Sequence, residues 1–87
     1  MNDLPTIEKS LPLEAPGYVD VNFYVSGVIT FPANTAGATC QVLGGSSAAR
    51  ITPAGPTNFG HVDVQLLDSN NEIGRARVVF LIPVSFS

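Results

Sequence analysis

The chain has 87 residues, of which 13% are charged and 45% apolar, with a net charge of -3 at pH 7. An average soluble domain is roughly 25% charged, and a chain this short buries only about 60–65% of its unfolded surface. A second domain and a nucleic-acid-binding role are therefore excluded: Lys9, Arg50, Arg75 and Arg77 form no basic stripe able to displace counterions. More apolar material is present than one copy can hide, so contact with other chains is expected.

The N-terminus, Met1-Asn2-Asp3-Leu4-Pro5, lacks the basic and apolar regions of a secretory signal, and none is expected. The longest apolar run, Val78 to Ile82, is far below the ~18–20 residues of a membrane helix. Residues 1–16 contain Pro5, Pro12 and Pro16, which favour extended backbone. Leu4, Ile7, Leu11 and Leu13 set the segment apart from a solvated linker. It reads as an extended arm whose Ile7 and Leu11 are buried more against a neighbouring chain than against their own, and whose loss leaves the remaining domain, 17–87, folded.

From Tyr18 to Phe31, apolar residues occupy the odd positions Val19, Val21, Phe23, Val25, Ile29 and Phe31, and Asp20, Asn22, Tyr24 and Ser26 take the even ones. Alternation of this kind marks a strand with one face on a core. Fully extended, the stretch would run about 45 Å at ~3.3 Å per residue, against a diameter of roughly 30 Å for a compact domain of this size. It must bend, and Ser26-Gly27 is the place. Strands are expected over 18–25 and 28–31.

Pro32 to Gly37 is turn material, and 38–43 is a short strand. Gly44-Gly45-Ser46-Ser47 interrupts it before 48–52, read as another short edge strand. After a loop at 53–58, strands at 61–67 and 73–82 flank Asp68-Ser69-Asn70-Asn71-Glu72, a cluster suited to a reversal through left-handed backbone. That connection is too short for a parallel crossover, so the two strands pair antiparallel. No segment longer than one turn carries helical periodicity. The fold class is all-β: a small single-domain β-sandwich or jelly-roll/Ig-like barrel with an extended N-terminal arm. Its expected core is Val21, Phe23, Val25, Ile29, Val62, Val64, Leu66, Val78 and Phe80.

Catalytic chemistry finds little to work with. His61 and Asp63 share a strand face, and Ser46, Ser47 or Ser69 completes a triad only on paper, with no nucleophile elbow. Cys40 and His61 offer one metal ligand each, against four in a structural zinc site, and Cys40 alone excludes an internal disulfide. Asp68-x-Asn70-x-Glu72 begins like a calcium loop but has Ile73 where glycine is required. Gly44 to Ser47 is followed by neither a helix nor a lysine and makes no phosphate cradle. No catalytic, cofactor or metal residue is assigned, and a non-enzymatic protein is expected.

Arg75 and Arg77 share a face that continues as Val79 and Leu81, a pattern expected at the rim of an intermolecular contact. Residues 78–82 are expected to be fully buried, with Phe86 inserted beside a subunit contact. The partner-contact set is thus Ile7, Leu11, Arg75, Arg77 and Phe86. The function expected is a structural subunit of a larger assembly, homo-oligomeric or bound to a larger assembly protein. Its most concrete form is a virion-associated protein: a phage minor capsid, cement, decoration or spike-base component. The alternative is a carbohydrate-binding or adhesion β-sandwich taking a glycan on Tyr18 and Tyr24, both read onto the polar face of one strand.

Overall fold

Alternation of apolar and polar residues, broken by Gly, Pro and Asn turns, produces strands and nothing else among the described residues, which in this computed structural model are 6–13 and 15–82. Seven strands form in order: β1 Thr6–Ser10, β2 Val19–Asn22, β3 Val28–Asn34, β4 Thr39–Val42, β5 Ala48–Thr52, β6 Gly60–Asp68 and β7 Asn71–Leu81. They make two packed sheets, a four-stranded one in the order β1-β7-β6-β3 and a three-stranded one in the order β2-β5-β4. The protein is an all-β, two-sheet sandwich, with no helix long and apolar enough to cross a membrane among the described residues.

The core lies where the alternating faces meet. Val62, Val64 and Leu66 of β6 and Ala76, Val78 and Phe80 of β7 point inward from one sheet, and Val19, Val21, Ala49 and Ile51 from the other. Size is matched across the β6–β7 ladder where Gly74 stands opposite Leu66, since a Cβ at Gly74 would lie 3.5 Å from the Leu66 Cβ. Gly74 also leaves a slot for the Phe23 ring, since a Cβ there would lie 2.8 Å from Phe23 Cδ1. Of the expected core, Val21, Val62, Val64, Leu66, Val78 and Phe80 are buried, and Phe23 and Ile29 are partly buried against them.

The β6–β7 hairpin forms as expected, antiparallel, with Asp68 opposite Asn71. Ser69 and Asn70 both have left-handed backbone (φ 50° and 68°), as a two-residue type I′ turn requires. One residue of β7 is extra: Leu66 pairs with Gly74 but Leu67 with Glu72, so Ile73 is bulged and turned outward.

Several expectations are corrected. The strand read over 18–25 ends at Asn22, because the chain there leaves the three-stranded sheet for the four-stranded one. Tyr24 takes φ 63° with its N–H donated to the Asn22 side chain at 2.8 Å, and this reverses the alternation. Val25, expected in the core, is consequently 52% exposed. The crossing finishes at Gly27, packed so closely that a Cβ would meet the Leu67 carbonyl oxygen at 2.5 Å. Residues 48–52 form the central strand of their sheet, not an edge, because β2 and β4 pair on either side. At the end of β7, residues 78–82 are not all buried: Leu81 and Ile82 emerge past the sandwich, at 36% and 65% exposure.

Of the segment read as an arm, Thr6 to Leu11 are built into the domain. β1 lies parallel to β7, from Thr6 opposite Arg77 to Ser10 opposite Leu81, and the Leu11 N–H continues the ladder to the Leu81 carbonyl at 3.1 Å. Ile7 packs on the core of its own chain, and Leu11 is 2% exposed within it. Leu11 therefore has no side-chain surface left to offer a neighbour.

Candidate functional site

Sheet topology places three loops at one end of the sandwich: 23–27 between β2 and β3, 43–47 between β4 and β5, and the 69–70 turn. Backbone bonds tie the first two together, Phe23 N–H to Ser47 O at 2.8 Å and Gly27 N–H to Ser46 O at 3.0 Å. The Ser26 hydroxyl adds a bond to Gly45 O at 2.7 Å. Of the seven large apolar residues exposed among the described ones, five lie at this end: Tyr24, Val25, Val28, Val42 and Ile73. Tyr24 is 85% exposed. A loop cluster pinned by backbone bonds and tipped with an aromatic and four aliphatic side chains is the candidate interaction surface.

Sequence reasoning missed Val28, Val42 and Ile73 as parts of this surface. The parity of Ile73, shared with Arg75 and Arg77, was the available signal for its outward direction. Val42 shares the inner face with Cys40, yet stands at the end of an edge strand beyond the cover of the opposite sheet, which no local pattern encodes.

The arginines expected at a contact rim do share the outer face of the four-stranded sheet, and both are engaged within it. Arg77 grips Asp63, directly across the β6–β7 ladder, through two bonds of 2.7 and 3.0 Å. Arg75 bonds Glu72, which also accepts from Gln65, itself hydrogen-bonded to Thr30. The hydrogen bonds from Arg77 hold the Asp63 carboxyl below its ordinary value of 3.8, against the opposing effect of partial burial. A carboxyl lowered on folding stabilises the fold above its unfolded value and loses that contribution as pH falls through its folded one. Asp63→Asn should therefore melt below the parent at neutral pH, with the difference shrinking as pH falls below 3.8. A melting series against pH checks this; a gap that stays constant into acid contradicts it.

His61 lies at the other end of the sandwich from Ser46, Ser47 and Ser69, so no triad assembles. Its ring Nδ1 stands 3.3 Å from the Thr35 hydroxyl, which also accepts the His61 N–H at 2.9 Å. The Glu72 carboxylate, drawn into a calcium loop on paper, is held by Gln65 and Arg75 instead. Among the described residues no three His, Cys, Asp or Glu side chains converge. Cys40 is partly buried, and burial pushes its thiol up.

Tyr18 and Tyr24 do not share a platform. They flank β2, one before it and one after, and so lie at opposite ends of the sandwich. The Arg50 guanidinium, bound to Asp20 at 2.9 and 3.1 Å, sits 3.7 Å from the Tyr18 ring centroid and covers one face of it. Beside Tyr18 lies a groove of about 500 Å³ lined by Lys9, Ser10, Pro12, Leu13 and Pro16, in which Lys9 is the one charged side chain among the described residues. Phe86 falls outside the described residues. Compared with protein-family models, curated proteins and solved structures, the chain matches none.

Proposed function

We propose that this chain is a non-enzymatic structural subunit of a larger protein assembly, most concretely a virion-associated protein such as a minor capsid, cement, decoration or spike-base component. The observation that carries the reading is the apolar loop end, with Tyr24, Val25, Val28, Val42 and Ile73 exposed on a chain only 13% charged. An apolar cluster on so sparsely charged a surface favours association over solvation. Copies of the chain, or a larger assembly protein, are the partners this surface suits.

The test is the double variant Val25→Lys/Ile73→Lys. Both side chains already face water, so thermal stability should stay within about 0.5 kcal/mol of the parent. Association through this end should be lost, because two charges would enter an apolar contact. Undiminished association with a normal melt assigns the contact elsewhere.

One observation favours the alternative, a carbohydrate-binding or adhesion module: the exposed Tyr24 ring on a pinned loop. Under that reading the chain binds glycans as a monomer, and Tyr24→Ala abolishes the binding.

A further inference from the structure

Among the described residues the two sheets give four strand edges, and three carry features that deter pairing with another chain. β1 carries Glu8 and Lys9. β3 carries Pro32 inside a bulge, since Thr30 pairs with Gln65 but Ala33 with Asp63, leaving one residue extra. β2 carries Asp20 at a position whose backbone faces outward. Charge, proline and bulges are the usual means of blocking edge-to-edge association. β4, Thr39-Cys40-Gln41-Val42, has none of them.

The direction of its free backbone groups follows from the ladder. The Leu43 N–H donates to the Ala48 carbonyl at 3.0 Å, so 43 and 48 are a hydrogen-bonded pair. Antiparallel pairs alternate, which makes Gln41–Arg50 the next bonded pair and leaves Cys40 and Val42 with N–H and C=O turned away from β5. An edge presenting residues i and i+2 is self-complementary under a two-fold axis through the residue between. Cys40 then faces Val42 of the second copy, Val42 faces its Cys40, and both outward N–H groups of each copy find carbonyls. Gln41 meets Gln41 on the axis, a neutral contact where a charge would repel its own copy. The half-exposed Val42 gains cover from the opposing Cys40.

We propose that β4 is a homotypic interface, pairing antiparallel with β4 of a second copy about Gln41 to continue the three-stranded sheet across two molecules. The occupant is a second copy because the edge fits itself in backbone direction and in charge. The proposal rests on the assembly reading above only for its premise that the chain self-associates. A four-residue strand makes it a concentration-dependent contact.

Cross-linking on the full chain tests the register. Residues opposed on the axis as a non-hydrogen-bonded pair have Cα atoms about 4.5 Å apart, inside the disulfide range of roughly 4.4–6.8 Å. Under mild oxidation Cys40→Ser/Gln41→Cys should give a disulfide-linked dimer, and Cys40→Ser/Thr39→Cys, equally exposed but displaced from the axis, should not. Gln41→Lys and Gln41→Glu should each weaken dimerisation about fivefold at low salt, and an equimolar mixture should restore it. Gln41 is exposed, so both variants keep the fold. Equal cross-linking at 39 and 41, or a mixture no stronger than its components, overturns the β4 contact. If the chain still associates, the assembly reading survives that failure. A parent chain that is monomeric at every concentration fails both.

Discussion

Phe80→Ala should unfold the protein or come close to it. Phe80 is 1% exposed and packs among the core residues of both sheets. Removing the ring leaves a cavity that a sheet-bound backbone cannot collapse into, at a cost of about 3–5 kcal/mol. A domain of this size has only about 5–15 kcal/mol in total. Chemical denaturation should show the midpoint falling sharply with the slope kept, or no cooperative transition at all. A midpoint shift equivalent to less than about 1 kcal/mol would mean that Phe80 is not in the core.

Loss of the N-terminal strand should be as damaging. Leu11 is buried among core residues of both sheets, and Leu11→Ala should cost about 2–5 kcal/mol. Deleting residues 1–12 goes further, because it also strips the β1 partners from the backbone of β7 between Arg77 and Leu81. The deletion variant should lose its cooperative melt. A variant that still melts as a folded domain would restore the reading of this segment as a detachable arm.

Legibility followed the range of the interactions. The β6–β7 hairpin was readable because its causes are local: alternation on both sides and a turn whose residues accept left-handed backbone. The two-sheet core was readable from the same alternation. The N-terminal strand was not, since its partner is the last strand of the chain and a parallel pairing across the whole domain leaves no local signature. The exposed loop end was not either. Tyr24 in left-handed backbone turns Val25 outward, and the open flank of Val42 uncovers a side chain that simple alternation assigns inward, whereas Ile73 alone was marked as outward by the parity it shares with Arg75. Arg75 and Arg77 were correctly placed on one face, but their partners Glu72 and Asp63 depend on cross-strand register, which composition cannot supply.

The proposed function requires that other chains cover the exposed apolar surfaces of this one. Sedimentation velocity of the full chain across a micromolar concentration series tests it most directly, with Val25→Lys/Ile73→Lys run beside it. The parent should sediment as species heavier than the 9.1 kDa chain, with their share rising with concentration, and the double variant should form nothing heavier than the dimer joined through β4. A parent that stays at 9.1 kDa throughout the series contradicts self-assembly.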